Sequence, residues 1–253
     1  MKLHGKQEDV RTELESLVAD FVSKGERTRS NGCVVFDNPG EHRMYSGGGE
    51  VDNICMEVGR NLSLPVLKIP YYEGSESIPF PVISQLKAVD PRFEENELMK
   101  VMLEYTNRGP VVSSGFLLNK ALEIIGSNAI VYIGPLEEFE SKQYPIQDLI
   151  LYFLDTSFGI FLVLSTSESY WKELPEKLST WQKIHSRMAQ KSLSNSINPL
   201  STYEEFDDFL DFLVKNGLID RSKKALSREI WRSLGEDKTY NGIKNRLGGE
   251  AFL

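Results

Sequence analysis

Four short, nearly continuous apolar runs limit what this chain can fold into: Cys33 to Phe36, Pro65 to Ile69, Ala129 to Ile133 and Phe158 to Leu164. Strands that read this way are buried on both faces, which is the condition of a parallel sheet covered by helices, whereas a half-exposed antiparallel strand would alternate with polar residues. A parallel sheet needs long crossovers, and the intervening segments supply them. Val10, Leu14, Leu17, Val18 and Phe21 recur with helical spacing, and helical patterns follow at Val51 to Leu62, Val82 to Tyr105 (broken at Asp90-Pro91), Ser114 to Ile125 and Tyr170 to Arg187. The fold class implied is α/β, a three-layer sandwich with a parallel sheet. Lys191 to Ile197 fits a short fifth strand.

Beyond that strand the pattern changes. Ser201-Thr-Tyr-Glu204 has the S-x-x-E form of a capping box, Phe206, Phe209, Leu210 and Leu213 give the helix behind it an apolar face, and Gly217 ends it. The expected division is a base domain over residues 1–198 and a small helical lid or appendage over 199–253. A chain of 253 residues buries an ordinary core without staples. Cys33 and Cys55 have no close pair and no adjacent His, so both read as buried free thiols. No apolar run approaches the roughly 20 residues that span a bilayer, and the expectation is a soluble intracellular protein.

Charge narrows the function classes. A formal net charge of -8 argues against a protein that grips nucleic acid alone through a broad basic face. The distribution is uneven, however: residues 221–246 hold eight basic and three acidic side chains, Arg221, Lys223, Lys224 and Arg228 among them, behind a helix bearing Glu204, Glu205, Asp207, Asp208 and Asp211. A solvated tail and a phosphate-facing patch both fit that asymmetry.

The loop after the first strand, Asp37-Asn-Pro-Gly-Glu-His-Arg-Met44, lies where a nucleotide-binding protein cradles phosphate. A working cradle, G-x-x-x-x-G-K-[ST], needs glycines so that backbone amides can approach the phosphates, a Lys for the β and γ groups and a hydroxyl for magnesium. On that pattern Asp37 stands at the first Gly, His42 at the later Gly, Arg43 at the Lys and Met44 at the hydroxyl, with only the internal Gly40 retained. Asp37 and Glu41 would also repel a polyphosphate at contact distance. The third strand should close on paired carboxylates but runs into Gly134-Pro135, with Glu137 and Glu138 displaced onto the following loop. Taken by itself, Asp37 to Gly40 favours the plainer reading of a strand-ending turn. His4 and His42 have no visible acid or nucleophile partner, His185 faces solvent, and no hydrolase triad can be assembled.

Three further segments carry a resemblance. Leu3-His-Gly5 with Gly25-Glu26 ahead of the first strand, Leu149-Ile-Leu-Tyr-Phe-Leu-Asp-Thr-Ser157, and Leu178-Ser-Thr-Trp-Gln-Lys-Ile-His-Ser-Arg-Met188 together resemble the origin recognition complex subunit 4 family of AAA+ (P-loop NTPase-like) proteins over about residues 1–215. The resemblance implies a degenerate AAA+ base that binds no nucleotide of its own. It also implies a nuclear role in replication initiation and helicase loading, with other origin recognition complex subunits as partners, subunit 1 above all, and origin DNA held within the complex. Residues after 215 are too few for the full lid and winged-helix domain of that family.

In AAA+ assemblies ATP and Mg sit between subunits, and one subunit extends an Arg to its neighbour's γ-phosphate. Arg187 matches that finger by position, with Lys183 one turn earlier as an assistant. A surface Arg paired within its own domain is the plainer role for the same residue. Arg221, Lys223, Lys224 and Arg228 would touch DNA phosphates inside a ring. The rival within this resemblance is an inactive clamp-loader-type subunit; outside it, a plain α/β interaction module. Trp171, Trp181 and Trp231 are candidates for interface anchors or for core packing.

Overall fold

A computed structural model describes residues 4–25, 28–37, 50–69, 119, 128–141, 146–188, 193, 197, 200–235, 238 and 240–248. The expected helices over 82–105 and 114–125 lie outside the described residues apart from residue 119, as do Gly40, Glu41, His42, Arg43 and Met44 of the candidate phosphate loop. In chain order the elements are α1 (Lys6–Val22), β1 (Asn31–Phe36), α2 (Glu50–Leu62), β2 (Val66–Ile69), β3 (Ala129–Ile133), α3 (Leu136–Ser141), α4 (Ile146–Thr156), β4 (Ile160–Thr166), α5 (Glu168–Lys177) and α6 (Ser179–Met188). α7 (Tyr203–Lys215), α8 (Arg221–Ala225), α9 (Ser227–Ser233) and α10 (Tyr240–Gly248) complete them.

The four apolar runs form one sheet in the order β1-β4-β3-β2. Every pairing is parallel, with Cys33 beside Val163, Val131 beside Leu162 and Leu67 beside Val131. Beyond β1, Leu193 N–H donates to the Val34 carbonyl at 3.0 Å and Ile197 N–H to the Phe36 carbonyl at 2.9 Å, and Ile197 forms a parallel bridge with Asp37. Leu193 and Ile197 therefore lie along the outer edge of β1, where a fifth strand is expected.

Side chains alternate between faces along each strand, so the sheet supplies two cores. Val34, Val131, Ile133, Leu162 and Leu164 face α3, α4, α5 and α6. Cys33, Val35, Ile130, Tyr132 and Val163 face α1, α2 and the C-terminal helices. All five residues of β3 and all seven of β4 are buried, as central strands between two helical layers must be. Cys33 and Cys55 are free thiols within the second core, and burial pushes the Cys55 thiol well up.

Boundaries differ from the sequence expectation in three places. β4 begins at Ile160 rather than Phe158, because Phe158 touches the sheet only through an antiparallel bridge to Arg29 and its side chain is 59% exposed. The helical pattern from Tyr170 to Arg187 is two helices, broken where Leu178 adopts an extended conformation; α5 and α6 then pack as a hairpin through Trp171 and Trp181, edge to face at 6.5 Å. The capping box is one residue later than the S-x-x-E pattern suggests. Thr202 is the N-cap of α7, its hydroxyl accepting from Glu205 N–H at 3.2 Å, while the Glu205 carboxylate accepts from the Ser201 amide and hydroxyl at 2.7 and 2.9 Å. Those Ser201 hydrogen bonds hold the Glu205 carboxyl below its ordinary range.

At the other end of α7, Gly217 with φ of 69° closes a Schellman motif: its N–H reaches the Val214 carbonyl at 3.0 Å and Leu218 N–H reaches Leu213 at 2.9 Å. Phe206, Phe209, Leu210 and Leu213 of α7 share the second core with Val10, Leu14 and Val18 of α1. The His4 ring lies 5.4 Å from Phe209 and 5.0 Å from Phe212.

Candidate functional site

In a parallel α/β sheet all strands point the same way, so the molecule has a C-terminal rim and an N-terminal rim with different chemistry. Ligands of such sheets ordinarily bind outside the C-terminal rim. Among the described residues, that rim carries Asp37 after β1, Gly134-Pro135 after β3, and Ser165 and Thr166 at the end of β4.

These groups are turned toward one another. Asp37 is buried and its N–H donates to the Thr166 carbonyl at 3.0 Å. The Tyr132 and Ser165 hydroxyls are hydrogen-bonded at 3.0 Å, and Ser165 and Thr166 are fully buried. Glu137 stands in the first turn of α3, not on a loop, and points back at the sheet. Its Oε1 accepts from the Thr166 hydroxyl at 3.1 Å and from Ser167 N–H at 2.7 Å, and the Ser167 hydroxyl in turn caps α5. Glu137 is thus committed to tying β3's exit to β4's exit.

Gly134 shows why no carboxylate can close β3 in this packing. A Cβ at that position would lie 2.2 Å from Ser165 Oγ and 2.9 Å from the Ser165 carbonyl oxygen. Only a residue without a side chain permits this approach. Among the described residues no group of three or more His, Cys, Asp or Glu could hold a metal ion.

The N-terminal rim presents charge to solvent instead. α6 buries Trp181, Ile184 and Met188 along one stripe, which leaves Lys183 and Arg187 on its exposed side. Arg187 is paired within its own chain: its Nη1 contacts Asp155 Oδ1, while the side chain remains 42% exposed. Asp155 lies in the last turn of α4 and also faces Arg29, whose Nη2 is 3.8 Å from the same carboxylate oxygen. Arg29 Nε and Nη2 donate to the Leu154 and Asp155 carbonyls at 3.3 and 3.1 Å, capping α4. The exposed Phe158 stands opposite Arg29 across their bridge. The pairing expected of an ordinary surface Arg is therefore present, and the guanidinium is still accessible.

Other candidate residues are dispersed. Lys224 is engaged with the acidic helix, its Nζ 2.8 Å from Asp207 Oδ2 and 2.9 Å from Asp211 Oδ2, so the basic and acidic segments of the sequence partly neutralise each other. Arg228 lies over the Tyr203 ring at 5.9 Å, while Arg221 and Lys223 are exposed. Trp171 and Trp181 are core residues, and Trp231 packs on Phe206 at 5.2 Å beneath Lys238. His185 is not simply solvent-facing: it stacks on Trp171 with centroids 5.1 Å apart, because the α5–α6 break folds that ring over it.

Sequence reasoning missed Asp155 and Arg29. One signal was available, since an acidic residue closing a helix opposes the helix dipole and calls for cations nearby. No family model matches this chain, and no curated protein matches it significantly.

Proposed function

We propose that this chain is a catalytically silent AAA+ subunit of an origin-recognition-type assembly, working beside a subunit of the subunit 1 kind in the nucleus. It contributes to encircling origin DNA for replication initiation and helicase loading, and extends Arg187 to the ATP and Mg held by its neighbour. One observation supports this reading: in the sheet of order β1-β4-β3-β2, with Leu193 and Ile197 hydrogen-bonded outside β1, Arg187 pairs with Asp155 on the rim opposite Asp37, the first residue of the candidate phosphate loop. A residue on that opposite rim is out of reach of its own nucleotide position but free to meet another subunit. The C-terminal rim is consistent with a discarded nucleotide site, since Asp37 and Gly134 stand where a glycine and paired carboxylates are needed.

A guanidinium suits the task because its planar, permanently charged fork can follow a γ-phosphate as charge builds during transfer. Replacing such a group in trans costs roughly a thousandfold or more in hydrolysis. The test is ATP turnover by the purified assembly: Arg187→Ala should leave the subunits associated and depress turnover by roughly that factor. Unchanged turnover in the intact assembly would overturn the assignment.

A further inference from the structure

We propose that Asp155 is the positioning residue for Arg187, acting as a carboxylate clasp at the N-terminal rim that aims the guanidinium at a nucleoside triphosphate carried by a neighbouring subunit. This rests on the trans-acting role of Arg187 given above.

The clasp is built in layers. Arg29 is fixed first: Ser30 N–H donates to the Ser157 carbonyl at 3.0 Å, and Gly159 N–H donates to the Thr28 carbonyl at 2.9 Å, so the entry to β1 and the α4–β4 turn are one unit. Its guanidinium then caps α4 through the Leu154 and Asp155 carbonyls. Asp155 consequently projects from a held backbone. Its carboxylate lies between the two guanidinium groups, contacting Arg187 directly and Arg29 at 3.8 Å.

Energetics favours a directing role over a stabilising one. Side-chain exposures of 62%, 39% and 42% for Arg29, Asp155 and Arg187 put the cluster in water, where such pairs contribute little to folding. A carboxylate in the last turn of a helix is itself unfavourable. Two cations around one carboxylate give this cluster a formal charge of +1, suited to an anionic group from outside. Contact through Arg187 Nη1 restrains a flexible side chain without occupying the whole fork, since a guanidinium has five donors. Removing that restraint costs orientation, and small misplacements of catalytic groups cost up to about a hundredfold in rate.

MgATP turnover of the purified assembly, with its ATP-binding partner subunit present, tests this. Asp155→Ala should lower kcat roughly tenfold with KM for ATP unchanged. The Asp155→Ala/Arg187→Ala double variant should be no slower than Arg187→Ala alone, because the carboxylate acts only through the guanidinium. Asp155→Glu should recover part of the loss. Should Asp155→Ala fail to fold, Asp155→Asn, which keeps an acceptor oxygen but not the charge, should show the same pattern with a smaller loss. Normal turnover in both Asp155 variants alongside a slow Arg187→Ala, or additive losses in the double variant, overturns the clasp alone. Normal turnover in Arg187→Ala overturns the trans role and the clasp with it.

Discussion

The two rims of the sheet spend their polar residues in opposite ways. At the C-terminal rim Tyr132 is hydrogen-bonded to Ser165 and Thr166 to Glu137 Oε1 in a buried setting, and Gly134 lets two strand ends approach within contact distance. At the N-terminal rim Arg29, Asp155 and Arg187 stay in water around an exposed Phe158. Buried polar groups fix a structure because each lost partner costs its full desolvation, whereas solvated charges can exchange partners cheaply. Among the described residues, the rim where α/β proteins usually hold ligands is tied together by buried hydrogen bonds, whereas its opposite keeps its charges exposed.

That contrast can be broken most severely at position 134. Gly134→Asp should destabilise the fold by about 2–4 kcal/mol, combining overpacking against Ser165 with an uncompensated charge, and Gly134→Ala should show the steric part of that loss. Chemical denaturation measures both; a variant as stable as the wild type would mean that the strand ends can part, as an adaptable ligand site would require. Glu137→Ala should cost about 1–2 kcal/mol by freeing the Thr166 hydroxyl and the Ser167 amide, and Glu137→Gln less, since an amide oxygen still accepts both. A Glu137→Gln loss matching that of Ala would show that charge, not the hydrogen bonds, matters there.

The smallest effect sharpens the comparison from outside either rim. Burial against Phe209 and Phe212 lowers the His4 pKa below its ordinary 6.5, only partly opposed by Asp208. The unfolded chain therefore binds a proton more readily than the folded one, and the contribution of His4 to stability is complete above 6.5 and declines as pH falls below it. His4→Gln should flatten the denaturation midpoint against pH in that interval; an unchanged slope would assign the titration to other groups.

Much of this architecture is legible in the chain because burial on both faces leaves an unmistakable mark. The runs AIVYI and IFLVL have no polar alternation, and both lie in the two central strands. The stripe on α1 and the apolar face of α7 are equally direct, and Gly217 marks the end of α7 by the conformation it permits. Errors arose where a local pattern had two solutions. Ser201 and Thr202 can each begin a capping box, and backbone geometry chose Thr202. The pattern from Tyr170 to Arg187 continues through Leu178, and the break follows from folding Trp181 back onto Trp171.

The candidate site was legible only in part. The position of Arg187 ahead of the expected fifth strand is visible in the sequence, but its partner is not, because Asp155, and Arg29 behind it, are distant from it in the chain. By itself the sequence determined the layers, the parallel sheet and the faces of its helices, since hydrophobic periodicity is a local property of neighbouring residues. Tertiary structure alone decided which charges meet, that Lys224 pairs with Asp207 and Asp211 of α7 and that Glu137 turns inward, because a polar side chain's partner depends on distances closed only when the elements are packed together.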